Sequence, residues 1–239
     1  MQKSKIDRFI QKYNLGGNVN SVKWKSNGDS LSTAFITSDK SLMGNVTVDN
    51  VNFENSEVGI YTTDQLQKLL NVLDEKVELS IKKAGDKPIT LNVNNGNVSF
   101  DYSLSDLSVI PDPPALKRVP NFTTKIKMDS KFIDTFIKGK SALADVDTFS
   151  IINKGGNCSI IIGYSNTNTN RVTIPVECDN CDLKDVISFN ANLFKDVLVA
   201  NKECTSAVLE VSSEGLARVN FKVDDYDSTY YIVASQGVY

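Results

Sequence analysis

The sequence predicts an α+β protein of two similar domains, each combining antiparallel β-sheets with two short helices. Three observations predict it. Runs of alternating apolar and polar residues are separated by Asn-Gly, Ser-Asp and Asp-Asn pairs, which suits antiparallel hairpins because strand side chains alternate faces and those pairs accept turn conformations. Four short segments replace the alternation with helical spacing. The order helix, strands, helix, strands then occurs twice in 239 residues, a comfortable length for two domains.

The elements follow in chain order. Ile6, Phe9, Ile10 and Tyr13 form the apolar stripe of a first helix, with Lys5, Arg8 and Lys12 on another face and Gly16-Gly17 as its stop. Strand-like runs follow at 22–24, 32–36 and 44–48. A second helix starts near Thr62, where Thr62-x-x-Gln65 reads as a capping box, and buries Leu66, Leu69, Leu70 and Leu73. Strands are expected at 77–81, 89–93 and 98–102. Four of the six prolines lie between 109 and 120; proline removes backbone donors and favours extended chain. This divides the chain into a first domain at 1–110, a connector at 111–124 and a second domain at 125–239. There Asp129 is the expected N-cap of a third helix with Phe132, Ile133, Phe136 and Ile137 as its stripe. Strands follow at 148–152, 158–162 and 171–174, then a fourth helix at 191–200 built on Leu193, Phe194, Val197 and Leu198. The last strands are expected at 207–211, 218–223 and 230–234, around an acidic turn with Asp224, Asp225 and Asp227.

Composition excludes several chemistries. The chain contains no histidine, so Ser-His-Asp and Cys-His mechanisms are ruled out. No phosphate loop of the G-x-x-x-x-G-K-[ST] type and no strand-borne G-x-G-x-x-G occurs, and the sequence reading is of a protein that is not an enzyme and needs no cofactor. Cys178-x-x-Cys181 has metal-ligand spacing, but zinc takes four ligands, and Cys158 and Cys204 stand isolated in sequence; the expectation is free thiols and no metal site. The chain lacks any run of about 18 apolar residues, and its first residues lack an apolar signal core, so no membrane span and a cytoplasmic location are expected.

The two halves share a spacing. Ile6-Asp7-Arg8-Phe9-Ile10 matches Ile133-Asp134-Thr135-Phe136-Ile137, and Leu66-Gln67-Lys68 matches Leu193-Phe194-Lys195. The step from Ile6 to Ile133 equals the step from Leu66 to Leu193. One offset kept by two separate helices points to a duplicated domain.

Charge is sorted although the net value is only −3. The helices carry Lys3, Lys5, Arg8 and Lys12, then Lys68, then Lys131, Lys138 and Lys140, then Lys195 and Lys202. Acidic residues, Asp182 among them, gather in turns and loops. Four basic helix faces in an acidic protein suit sequence-independent contacts to phosphates of double-stranded DNA.

This pattern resembles the DNA sliding clamps in their three-fold form. It is closest to those of T4-type bacteriophages and more distantly similar to the eukaryotic and archaeal clamps. The likeness rests on the length, the two helices per half, the proline-rich connector, and the matching lead-ins at 61–70 and 189–198. The resemblance implies a homotrimer closed head to tail into a ring, with helices lining a hole that holds the duplex. It implies that the ten basic residues above contact DNA, that the clamp tethers a replicative DNA polymerase, and that an ATP-dependent clamp loader opens the ring. Partner peptides would dock on an outer apolar pocket near the connector. Ile110, Pro111, Leu116 and Val119 are candidates there, with Val233, Ala234 and Val238 near the C-terminus. Two other readings compete. One is a structural β-rich virion or scaffold protein that does not encircle DNA. The other is a carboxylate-based enzyme using Asp224, Asp225 and Asp227, although aspartate is also ordinary turn chemistry.

Overall fold

A computed structural model describes residues 1–235 except 168, 180 and 182; Asp182 and Val238 therefore lie outside the described residues. The chain forms two compact units that are not simple halves. The first comprises Met1–Ser38, Gly44–Pro113 and Asp224–Ser228; the second comprises Asp39–Met43, Pro114–Val223 and the chain from Thr229 onward.

In the first unit, helix α1 spans Lys3–Asn14 and is followed by β1 (Val22–Ser26), β2 (Ser30–Ile36), β3 (Leu42–Asp49) and β4 (Ser56–Ile60). Helix α2 (Thr63–Leu70) leads to β5 (Glu78–Ala84), β6 (Lys87–Asn94) and β7 (Ser99–Ser103). Strand β1 lies antiparallel between β2 and β4. Strands β5, β6 and β7 form a separate antiparallel sheet of three, which leaves β7 on an edge. The stripe read from sequence is the core of α1. Ile6, Phe9, Ile10 and Tyr13 are fully buried, and the Phe9 ring meets Tyr13 at 5.5 Å and Trp24 at 5.6 Å, both edge-on.

The helix ends differ from expectation in instructive ways. Helix α1 stops just before the glycine pair: Leu15 itself turns left-handed (φ 50°), and the Asn14 side chain accepts a hydrogen bond from Gly17 N at 2.9 Å. Thr62 precedes α2 as expected, but its side chain makes no cap. Asn20, remote in sequence, supplies it: its backbone carbonyl accepts from Thr63 N at 2.8 Å and its Oδ1 from Asp64 N at 3.0 Å. Tertiary contacts have replaced the local box: Asn20 takes the Thr63 and Asp64 amides, Thr62 N donates to the Tyr102 hydroxyl at 2.9 Å and Gln65 N to Thr62 O at 3.1 Å.

In the second unit, β8 (Thr124–Asp129) runs into α3 (Ser130–Ala142). Then come β9 (Thr148–Lys154), β10 (Asn157–Ile162), β11 (Val172–Val176), the short β12 (Cys178–Asp179), β13 (Ile187–Asn190), α4 (Ala191–Ala200), β14 (Ser206–Ser212), β15 (Leu216–Val223) and β16 (Tyr226–Val233). One antiparallel sheet has the order β11-β10-β9-β13, with β11 on its edge. Strands β12, β8, β14 and β15 are neighbours in another. Both helices here carry local caps, the expected Asp129 and a second that the sequence reading did not name: Phe132 N donates to Asp129 Oδ1 at 2.7 Å, and Leu193 N to Asn190 Oδ1 at 3.0 Å. The core is aromatic, with the Phe194 ring 4.9 Å from both Phe136 and Phe149.

The spacing read from sequence reappears in the elements. Helices α1 and α3 start at Lys3 and Ser130, and α2 and α4 start at Thr63 and Ala191, nearly the same step along the chain. Strand β3 pairs with β16, through Asp49 N to Asp225 O at 2.9 Å in the first unit and Val233 N to Ser41 O at 2.8 Å in the second. Among the described residues, no helix is long and apolar enough to cross a membrane.

Candidate nucleic-acid interface

The ten basic residues expected to face DNA fall into three groups. Lys68 on α2, Lys131 and Lys138 on α3, and Lys202 just beyond α4 are exposed, and among the described residues none of their ammonium groups has a partner. Lys195 on α4 is half-buried, with Nζ 4.0 Å from the Asp196 carboxylate. These are flexible point charges without fixed geometry, suited to phosphate contact in no particular register.

A second group is engaged by acids. On α1, Lys5 Nζ pairs with Asp225 and donates to Asn50 O at 3.1 Å. Arg8 places both terminal nitrogens 3.0 Å from Asp224 Oδ2 and stacks 4.5 Å over the Tyr226 ring. The Tyr226 hydroxyl donates to Lys5 O at 2.9 Å. Lys5 and Asn50 hold the Asp225 carboxyl below its ordinary range through hydrogen bonds to its charged form. Lys3 lies 3.9 Å from Asp7, one turn on. The acidic turn read as ordinary turn chemistry is therefore the counter-charge of α1. The partners lie at opposite ends of the sequence, so no local pattern announced it.

The third group corrects the sequence reading. Lys12 is fully buried, with Nζ 5.2 Å above the Tyr226 ring. The basic stripe of α1 does not face solvent along its whole length, because Tyr226 covers its last turn. Lys140 is 2% exposed, and its Nζ donates to Leu143 O at 3.2 Å and Ala144 O at 3.0 Å. It caps the C-terminus of α3, where carbonyls lack helical partners and the helix dipole favours a cation. Neither side chain is presented to an outside ligand.

The expected peptide-docking residues divide in the same way. Ile110 is buried to 2% exposure, and its Cδ1 would stand 3.0 Å from any Cβ added to Gly59. It fills the first unit's core and does not line a surface pocket. Pro111, Leu116, Val119 and Val233 are exposed and Ala234 is partly so. Residues 111–123 form neither helix nor strand. A depression of about 700 Å³ lies elsewhere, in the second unit between β8, α3 and β11, with Phe132, Ile174 and Val176 among its walls.

The cysteines give a further correction. Cys158 is not isolated: its sulfur lies with those of Cys178 and Cys181, all three within 4.8 Å of one another. Only Cys204 stands apart, donating to Ser206 O at 3.1 Å. Burial, with Cys181 alongside, pushes the Cys178 thiol up to about 11, and burial pushes Cys158 further up.

No family model matches the sequence, and no curated protein matches it. Solved structures do. The chain superposes on the proliferating cellular nuclear antigen of Entamoeba histolytica with a TM-score of 0.73 at 13% identity, over 98% of this chain and 96% of that one. It superposes on PCNA of A. fulgidus, in a structure with the C-terminal region of FEN-1 bound, with a TM-score of 0.77 at 14% identity, over 100% of this chain and 98% of that one. At such identities the likeness is one of architecture. The chain has, end to end, the two-fold-repeated α+β fold of the sliding clamps.

Proposed function

We propose that this protein is a DNA sliding clamp of the bacteriophage type, a non-enzymatic homotrimer that closes around double-stranded DNA and tethers a replicative DNA polymerase. Its domains are 1–110 and 125–239, joined by the connector at 111–124. An ATP-dependent loader opens the ring. Lys68, Lys131, Lys138, Lys195 and Lys202 make the main phosphate contacts, with Lys3, Lys5 and Arg8 contributing once their acidic partners yield. Pro111, Leu116, Val119, Val233 and Ala234 form the surface for partner peptides, a role supported by the FEN-1 segment on the A. fulgidus protein.

The observation that carries this reading is an agreement between the internal repeat and the free sheet edges. The repeat takes Ile6 to Ile133. Moved back by that same step, Tyr226 at the start of β16 becomes Ser99, the start of β7. Moved forward by it, Asp49 at the end of β3 becomes Val176, the end of β11. So β7 and β11 are the repeat equivalents of the pair β16 and β3, yet each lies on an edge with an unpaired side. Exposed edges recruit strands. The same pairing made between chains is heterologous, and heterologous contacts close into rings when the rotation allows. The register of β3 on β16 is fixed by Asp49 with Asp225 and by Ser41 with Val233. Carried over by the repeat, it sets Asp101 of one subunit against Thr173 of the next, both exposed.

The test is an Asp101→Cys, Thr173→Cys variant, oxidised in the presence of nicked circular plasmid. Three linked chains in a closed circle are expected, retained on the circle through a high-salt wash and released when the plasmid is cut. Absence of cross-linking, or release that ignores cutting, refutes encirclement. Charge reversal of Lys131 and Lys138 should reduce the amount captured without altering the fold, read by circular dichroism.

A further inference from the structure

Three of the four cysteines, from separate segments of the second unit, meet at one point. Cys158 lies on β10 opposite Val176 of β11. The chain then passes from β11 into β12, where Cys178 pairs with Ile126 of β8. Asn153 Nδ2 donates to Cys181 O at 2.8 Å and fixes the third cysteine. The result places Cys178 and Cys181 beside a thiol from a neighbouring sheet. The three sulfurs lie within 4.8 Å of one another. Tetrahedral zinc with bonds of about 2.3 Å would hold them about 3.8 Å apart, so closing the site takes a shift of about 1 Å. Cys158 is buried, while Cys178 and Cys181 are half-exposed, so the cluster has a closed floor and one side open to solvent. Thiols are weak hydrogen-bond donors, and mutual contact among three of them satisfies little.

We infer that Cys158, Cys178 and Cys181 form a three-thiolate site for zinc, with water in the fourth position. Soft sulfur ligands select zinc over magnesium or calcium. Binding releases protons from the thiols and ties Cys178 and Cys181 to Cys158 of β10. The residues so fixed follow directly on β11, the edge strand assigned above to subunit pairing. The metal site itself rests only on the geometry of the second unit and stands whether or not the ring reading does.

The test uses the full-length, fully reduced chain, with cobalt as optical probe and zinc as competitor. One equivalent of cobalt should give thiolate-to-metal charge-transfer bands and the visible bands of a tetrahedral ion, both abolished by one equivalent of zinc. At about a hundredfold the dissociation constant, zinc should raise the melting midpoint by roughly 5–10 °C. The Cys178→Ser, Cys181→Ser variant changes half-exposed side chains; it should melt near the zinc-free wild type and lose both responses. The site is overturned if the reduced wild type shows no thiolate bands with excess cobalt, or if the double variant binds zinc equally well. Formation of a Cys178–Cys181 disulfide that zinc does not prevent also overturns it. None of these results depends on DNA or on oligomeric state.

Discussion

Lys140 gives the sharpest separation between a cation that holds the fold and one offered to DNA. In Lys140→Met the volume stays similar and the charge goes. Two hydrogen bonds from a charged donor, at 3.2 and 3.0 Å, disappear; Ala144 O loses its partner, while Leu143 O keeps the Val146 amide at 3.1 Å. Bonds to charged groups contribute about 1.5–3 kcal/mol each. Relief from burying an ammonium offsets part of that loss. The net expectation is a loss of about 2–3 kcal/mol, or roughly 5–10 °C in melting midpoint for a chain of this size. Lys138→Met, on the same helix and exposed, should change stability by less than about 0.5 kcal/mol. Calorimetry and urea unfolding of both variants give the comparison. If Lys140→Met is as stable as the wild type while capturing less DNA, the capping role is wrong and Lys140 returns to the DNA-facing set.

Two further variants test the first unit. In Asp225→Asn the depressed acid is removed. A carboxyl whose folded pKa lies below its ordinary 3.8 adds stability that is present above pH 3.8 and lost as pH falls through the folded value. The urea midpoints of wild type and variant should therefore differ at neutral pH and converge under acid; a constant gap would exclude the Lys5–Asp225 pair as its source. The same variant frees Lys5, so the salt dependence of DNA capture should steepen by about 0.9 in log–log slope. In Gly59→Ala the new Cβ would lie 2.6 Å from the Ser105 carbonyl and 3.0 Å from Ile110 Cδ1. Overpacking against backbone should cost about 1–3 kcal/mol in urea unfolding, and wild-type stability would show that residues 105–110 do not pack closely on β4.

The parts of this fold that sequence revealed are those encoded by local period. The stripes of α1, α3 and α4 and the cap Asp129 are short-range patterns, and the repeat is visible because two such patterns keep one spacing. Strand β8 was hidden because its first residue closes a stretch rich in proline and polar residues, which reads as linker. The cap on α2 was misassigned because Asn20, far upstream of Asp64, takes the part expected of Thr62. The same limit governs the candidate sites. A lysine opposite an apolar stripe reads as solvent-facing, and nothing near Lys12 in sequence says that Tyr226 covers it. Cys158 joins Cys178 and Cys181 only through the pairing of β10 with β11.

The acidic turn against α1 gives the chain its own competitor for that helix. Asp224 and Asp225 are anions that the fold itself holds beside Arg8 and Lys5. In the clamp proposed above, a phosphate arriving there would displace a carboxylate, and one leaving would be replaced by it. The cations are never stranded without an anion, so the barrier to letting go of a phosphate is low. In the proposed ring, kept on DNA by topology, that exchange would trade grip at α1 for ease of movement.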